Sequence, residues 1–138
     1  MKNLVSIFAG HDSNISFYHA EKDEYHTIEI ERLVKQRYFR LHEDNDHLYQ
    51  RTVLEKCRDI AWEEWGIENN YEAVLISSDG YVQTELRGIF NTEKVITIAS
   101  HHQTHAASAL HLSPFDKALI ISYDGGGDDG HFNVYMGD

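Results

Sequence analysis

The order of its short apolar segments constrains the fold of this chain more than any other feature of the sequence. Three such segments, residues 4–9, 15–18 and 25–30, follow one another with only short polar stretches between them. Short runs rich in β-branched and aromatic side chains are typical of β-strands, and strands joined by short turns pair in antiparallel fashion. The beginning of the chain therefore predicts a three-stranded antiparallel meander.

A long helix is predicted next, at about residues 46–65. Apolar side chains recur there at intervals of three and four residues, as they do on the buried face of a helix. Asp44, Asn45 or Asp46 is the expected N-cap of this helix, and Gly66 is its expected C-terminal stop.

Strands and helices alternate in the remainder of the chain. Such alternation predicts an α/β layer architecture. The further predicted elements are strands at residues 73–76, 95–98, 119–123 and 132–135 and a helix at about residues 101–111, while residues 81–90 are ambiguous.

Charge and cysteine content exclude several classes of protein. The 138 residues carry a net charge of −11, which disfavours an extended nucleic-acid surface. The single cysteine, Cys57, can form no internal disulfide and is expected to be a buried apolar side chain. No apolar run approaches the roughly 20 residues of a membrane-spanning helix, and none is typical of a signal peptide. We therefore expect a cytoplasmic protein without a membrane partner.

Two segments of the chain share one pattern. Residues 7–18 and 121–135 each contain a strand, a small polar turn with an aspartate, and a second strand. This repetition predicts two related lobes, the first at residues 1–112 and the start of the second at residues 113–138. A second explanation stays open, because glycine-rich turns are common in α/β chains.

The turn of the second hairpin combines glycines with carboxylates. Gly125 and Gly127 let backbone amides face one concavity, where a phosphate could approach. Asp124, Asp128 and Asp129 would repel that phosphate unless a cation lay between them. The turn therefore indicates either a metal-bridged phosphate site or simply an acidic, solvated hairpin tip.

Two histidines four residues apart precede this turn. His101 and His105 would lie on one face of a helix, while His102 would point elsewhere. With Asp124 they could form a two-histidine, one-carboxylate set, which suits non-haem Fe(II) and which Zn(II) also accepts. Histidines on an ordinary helix surface are the alternative, and the nearby acidic turn favours the metal site.

The first turn of the meander contains Gly10, His11, Asp12 and Ser13. His11, together with a hydroxyl and glycine-freed amides, could hold a phosphate-like group or donate a proton to it. Alternatively, Asp12 or Ser13 hydrogen-bonds its own backbone and has only a structural role.

Four of the 12 cationic residues lie close together after the third strand. In an acidic protein, such a group could attract an anionic substrate. A solvated loop is the alternative interpretation. The residues are Arg32, Lys35, Arg37 and Arg40.

Five motifs occur in an order that resembles one enzyme family. Together they resemble the beginning of the O-carbamoyltransferases of nodulation-factor and antibiotic biosynthesis, which are related to the tRNA threonylcarbamoyl transferase and the hydrogenase-maturation carbamoyltransferase. The motifs are Gly10-His11-Asp12-Ser13, Glu31-Arg32-x-x-Lys35-x-Arg37, His101-His102-x-x-His105-Ala106-Ala107-Ser108-Ala109, Ser113-Pro114-Phe115 and Asp124-Gly125-x-Gly127.

The resemblance implies a fold and a reaction. The fold would be a ribonuclease-H-like lobe of the actin and sugar-kinase ATPase superfamily, followed by the opening hairpin of a second lobe. The reaction would form carbamoyl-adenylate from carbamoyl phosphate and ATP and then carbamoylate a hydroxyl group of a sugar or a related acceptor.

The resemblance also implies roles for individual residues. His101, His105 and Asp124 would bind the metal, usually iron. Gly125 and Gly127 would contact the nucleotide phosphate, and His11 would lie near the carbamoyl or phosphate group. Gly10, Asp12 and Ser13 are expected near the nucleotide, and Arg32, Lys35 and Arg37, by their charge, near the anionic substrate.

The chain would cover only the first part of such an enzyme, so we expect no turnover from it alone. Two other functions stay open at this point. One is a non-catalytic module that binds a nucleotide or a metal. The other is a structural domain with incidental histidines, which could form a homodimer through an unpaired strand edge.

Overall fold

The chain folds into two compact units. Its contacts divide it into Met1–Thr97 and Ile98–Asp138. The lobe boundary predicted between residues 112 and 113 stays a prediction. The computed structural model describes residues 2–41, 46–77, 86–98, 100–126 and 130–138.

A mixed five-stranded sheet forms the first unit, in the order β3-β2-β1-β4-β5. Strand β1 pairs in antiparallel fashion with β2, as β2 does with β3, which confirms the predicted meander, and β1 pairs in parallel with β4. In chain order the elements are β1 (Asn3–Phe8), β2 (Asn14–His19), β3 (Glu24–Glu29), α1 (Ile30–Val34), α2 (His47–Trp65), β4 (Tyr71–Ser77), α3 (Leu86–Ile89) and β5 (Val95–Ile98).

The core of the first unit lies between this sheet and α2. Phe17 on β2 is fully buried, and its ring lies against those of Trp65, Tyr71 and Phe90. Cys57 on α2 belongs to the same core, as predicted, and burial raises the pKa of its thiol to about 12. The thiol therefore stays protonated and unreactive near neutral pH.

Helix α2 has the predicted ends. The side chain of Asp46 accepts a hydrogen bond from the backbone of Leu48 at 2.8 Å, which satisfies one amide of the first turn. Gly66 ends the helix in the left-handed conformation, with φ 72°, which glycine adopts without steric cost. Asp44 and Asn45, the other candidate caps, lie outside the described residues.

Helix α1 of the first unit was not predicted. The sequence pattern assigned Ile30 to the third strand and left a solvated loop as one interpretation of the basic stretch after it. The structure instead ends β3 at Glu29 and begins α1 at Ile30. Ile30 is fully buried, and Leu33 and Val34 pack against the core at helical spacing, so tertiary packing stabilises a helix of only five residues.

The sequence left residues 81–90 ambiguous. The structure places α3 in this stretch from residue 86 onward, and residues 81–85 lie outside the described residues.

Ser13 joins the turn after β1 to the segment after α1. It is completely buried, and its hydroxyl donates to the carbonyl of Gly10 at 2.6 Å and accepts from the amide of Leu41 at 2.8 Å. Its backbone amide and carbonyl bond to Phe39 and Ile30. This serine therefore holds two loop segments at one end of the sheet.

We expect Ser13→Ala to lower the free energy of unfolding by about 1–3 kcal/mol, because a buried hydrogen-bonding site is emptied. Ser16→Ala is the matched control, since the Ser16 hydroxyl bonds Thr27 at an exposed position; its effect should stay within about 0.5 kcal/mol. Urea unfolding of both variants measures the difference, and equal effects would contradict the role given to Ser13.

The second unit is a helix packed on a two-stranded hairpin. Helix α4 (His101–His111) packs against β6 (Ala118–Tyr123) and β7 (Phe132–Gly137), which pair in antiparallel fashion. Both the helix and the hairpin were predicted at nearly these bounds. A Cβ at Gly137 would lie 2.5 Å from Leu110, so glycine permits the close approach of α4.

The hairpin carries apolar side chains on both faces. Because successive residues of a strand point to opposite sides, one set packs toward α4 and the other is exposed. Strand pairs with apolar residues on both faces are typical of sheets that are covered on both sides. The exposed set is Leu119, Ile121, Tyr123, Phe132, Val134 and Met136.

Among the described residues, the helices are too short or too polar to cross a lipid bilayer.

Candidate metal centre

Helix α4 places His101 and His105 side by side. The side chain of Ser100 accepts a hydrogen bond from the amide of Gln103 and so begins the helix directly before His101. One helical turn later, His105 lies on the same face. The two imidazole rings have centroids 4.6 Å apart.

Asp124 reaches the same point from the hairpin. It follows the last residue of β6, and its backbone amide donates to the carbonyl of His131 at 3.1 Å. The amide of Gly125 donates to its Oδ1. That bond orients the carboxylate and leaves Oδ2 facing the two histidines.

Three potential ligand atoms converge, and we call His101, His105 and Asp124 the His–Asp cluster. Asp124 Oδ2 lies 2.8 Å from His101 Nε2 and 3.6 Å from His105 Nε2, and the two Nε2 atoms are 3.1 Å apart. Two ligand atoms at about 2.1 Å from one ion lie about 3.0 Å apart at a right angle and about 3.4 Å apart at a tetrahedral angle. The cluster therefore has the donor types that a divalent ion binds, and its spacings of 2.8, 3.1 and 3.6 Å bracket those expected around one ion.

The charge of Asp124 suits a cation. The hydrogen bond from His101 lowers the pKa of this carboxyl group below its usual value, and the bond from the Gly125 amide lowers it further. Asp124 is therefore ionised at neutral pH and offers a negative ligand atom to an ion shared with the two imidazoles.

An open groove borders the cluster. It is lined by His105, Ala106 and Ala109 of α4 and by the end of β6 up to Asp124. Its volume is about 500 Å³. The small side chains of the helix leave this side of the cluster accessible to a ligand.

His102 points away from the cluster, as predicted, and the structure shows where. It is fully buried and bonds Ser122 of β6 and the carbonyl of Gly130. Sequence reasoning identified neither partner. The available signal was the spacing of Ser122 and Asp124. These two small polar residues are two positions apart, which places them on the same face of the hairpin.

The turn predicted to contact the nucleotide lies in the first unit. His11 Nδ1 and Asp12 Oδ2 are 2.8 Å apart, and both side chains are largely exposed. Asp12 has φ 58°, in the left-handed region. Gly10 lies against the ring of Phe8, and the hydroxyl of Ser13 is already occupied by structural partners. The ligand-binding roles of these four residues stay predictions.

The basic residues are exposed on and after α1. Arg32 forms an ion pair with Glu29. Lys35 ends the helix with φ 57°, and the guanidinium of Arg37 lies 4.9 Å from the ring centroid of Tyr38. Their predicted contact with an anionic substrate stays a prediction.

The glycine turn is described only in part. A Cβ at Gly125 would meet no described atom within 4 Å, so space remains beside it. Gly127, with Asp128 and Asp129, lies outside the described residues. Contact of Gly125 and Gly127 with a phosphate therefore stays a prediction.

Part of the chain is similar to a known protein. No protein-family model matches the chain. A segment of it is 46% identical over 50 residues to the nodulation protein NolNO of Sinorhizobium fredii, which corresponds to 31% of this chain and 7% of that protein. The match indicates a distant relationship to part of a much longer protein.

Proposed function

We propose that this chain is the metal-holding part of an enzyme that transfers a carbamoyl group. The observation that supports this proposal most directly is the convergence of His101, His105 and Asp124, whose ligand atoms all lie within 4.8 Å of one another. A two-histidine, one-carboxylate set leaves coordination positions free for a substrate.

Two further observations favour carbamoyl transfer over other metal-dependent reactions. All three residues of the cluster belong to motifs that carry the resemblance to the O-carbamoyltransferases. The similarity to the nodulation protein NolNO also supports carbamoyl transfer, because the motifs resemble the carbamoyltransferases of nodulation-factor biosynthesis. We also propose that the first unit has the ribonuclease-H-like fold, with which its mixed sheet is compatible.

The ion proposed for the cluster is Fe(II) or another divalent metal such as Zn(II). When bound, it would supply positive charge to phosphate oxygens and so orient a nucleotide and stabilise a leaving group. Asp124 and the two imidazoles would hold it, and the open groove beside His105 would admit the phosphate.

Other residues of the chain have proposed roles in binding substrates. Gly125 would allow the nucleotide phosphate to approach the backbone. His11, oriented by Asp12, would contact the carbamoyl or phosphate group. Arg32, Lys35 and Arg37 would attract anionic substrates.

The proposed substrates are ATP and carbamoyl phosphate, and the acceptor is a hydroxyl group, as on a sugar. Carbamoyl-adenylate would form first, from carbamoyl phosphate, water and ATP with release of phosphate and pyrophosphate. It would then carbamoylate the acceptor hydroxyl with release of AMP. The transfer is tested by carbamoyl-phosphate-dependent exchange of labelled pyrophosphate into ATP, measured on the complete gene product. Exchange that persists after Asp124→Asn would contradict a role for the cluster.

The part of the proposal that concerns this chain has its own test. We expect the chain loaded with one equivalent of Zn(II) to bind ATP at least about tenfold more tightly than the metal-free chain, since the ion adds positive charge where phosphate would bind. Isothermal titration calorimetry measures both affinities. Zn(II)-loaded His111→Ala, altered at the exposed end of α4, is the control and should match the unsubstituted chain. Equal ATP affinity with and without Zn(II) would contradict nucleotide binding at the cluster.

A further inference from the structure

His102 is the most deeply buried titratable side chain of the second unit among the described residues. It has no exposed surface, although it lies between the metal-binding candidate His101 and the helix surface residue Gln103. Both of its ring nitrogens are hydrogen-bonded, Nδ1 to Ser122 Oγ at 2.7 Å and Nε2 to the carbonyl oxygen of Gly130 at 2.8 Å.

These partners determine which nitrogen carries the proton. A carbonyl oxygen can only accept, so Nε2 of neutral His102 must donate to Gly130. Nδ1 then carries a lone pair and accepts a hydrogen bond from the hydroxyl group of Ser122. The ring is therefore held in one tautomer and one orientation by two directional bonds.

Both partners lie next to the part of the hairpin that presents the carboxylate. Ser122 is two residues before Asp124, so their side chains leave the strand on the same side. Gly130 precedes His131, whose carbonyl oxygen accepts a hydrogen bond from the backbone amide of Asp124. Gly130 has φ 98°, a conformation that favours glycine.

The bonds of His102 thus connect the first turn of α4 to both sides of the hairpin at the level of Asp124. Because His101 directly precedes His102, any rotation or sliding of this turn would move His101 relative to the carboxylate. The rings of His101 and His102 are already in edge contact, with centroids 5.7 Å apart.

We infer that His102 is a positioning residue of the metal centre. It would not itself be a ligand of the ion, because both of its ring nitrogens bond the hairpin. Its two bonds hold the helix against the hairpin so that the His–Asp cluster keeps the spacing that an ion requires before the ion binds. This inference rests on the proposed function, because it presupposes that the cluster binds a metal.

A purely structural role for His102 would give different results. A structural residue lowers the stability of the second unit, and the fraction that stays folded binds metal normally. A positioning residue changes the metal centre of the folded protein. Residues that orient ligands from outside the coordination sphere typically contribute about 10–100-fold to metal affinity.

The experiment uses the full 138-residue chain and Co(II), whose visible absorption reports the geometry and number of its ligands. We compare the unsubstituted chain with His102→Phe, which keeps a ring but removes both hydrogen bonds, and with His102→Gln, whose amide can still donate to Gly130. Leu110→Ala is the matched control, because it weakens the packing of the same helix at its far end, against Gly137.

We expect His102→Phe to bind Co(II) about 10–100-fold more weakly and to show an altered visible spectrum at saturating metal. His102→Gln should recover part of the affinity and of the original spectrum, and Leu110→Ala should leave both unchanged. Circular dichroism at the temperature of the titration establishes that each variant is folded. If His102→Phe does not fold, Ser122→Ala, which removes one of the two bonds, is judged by the same criteria.

Unchanged affinity and spectrum in a folded His102 or Ser122 variant would overturn the inference, as would an equal loss in Leu110→Ala. If the unsubstituted chain itself binds no Co(II), Zn(II) or Fe(II), the metal site fails, and the proposed function fails with it. The two failures are therefore distinguished by the first titration.

Discussion

Replacing Asp124 with asparagine is expected to weaken Zn(II) binding by more than about 100-fold, since the loss of a ligand exceeds the loss that follows from changing a ligand's neighbours. Asparagine keeps the shape of the side chain and an oxygen atom but removes the negative charge that faces His101 and His105. The same loss is expected for His101→Ala and His105→Ala, because each removes one of the three converging atoms.

Competition with a chromophoric chelator measures these affinities. Two variants in the same unit serve as controls for the chemical changes: Asp116→Asn alters an exposed carboxylate, and His111→Ala alters an exposed histidine of α4. Both should bind Zn(II) as the unsubstituted chain does. A value for Asp124→Asn within threefold of the unsubstituted chain would remove the basis of the proposed metal centre.

The largest expected effect on stability is that of Phe17→Ala. We expect it to lower the free energy of unfolding by about 3–5 kcal/mol, because a buried ring is removed and a cavity is left among rigid neighbours. Phe17 has no exposed surface and contacts the aromatic rings of Trp65, Tyr71 and Phe90.

Urea unfolding followed by tryptophan fluorescence reports this change, since Trp65 lies beside Phe17. Phe115→Ala makes the same truncation at an exposed position and should change the free energy by no more than about 0.5 kcal/mol. Similar midpoints for the two variants would show that the ring cluster around Phe17 is not the centre of the core.

Much of the secondary structure follows from local chemistry. The apolar spacing of α2, the cap at Asp46 and the left-handed stop at Gly66 all act within a few residues of each other. The same is true of α4 and of the strands of the meander, whose periods are visible in short windows of sequence. These elements were predicted because the forces that define them are short-range.

Helix α1 shows where local chemistry was insufficient. Ile30 continues the alternation of β3 and equally well begins a helical pattern with Leu33 and Val34. The choice between them depends on the core, where Ile30 is fully buried. A five-residue helix has too few internal hydrogen bonds to form without such packing. The local alternation therefore led to the prediction of a strand at Ile30, which is wrong.

Some features of the candidate metal centre likewise follow from local sequence, and others depend on tertiary packing. Helical periodicity was enough to place His101 and His105 on one face, because their spacing is set by a single turn of backbone. The 2.8 Å and 3.6 Å approaches of Asp124 depend on how the hairpin packs against α4. So does the burial of His102 between Ser122 and Gly130. Residue order thus specified the donor types and one helix face, whereas packing between separate elements decided whether the donors meet, because such contacts arise only once a core has formed.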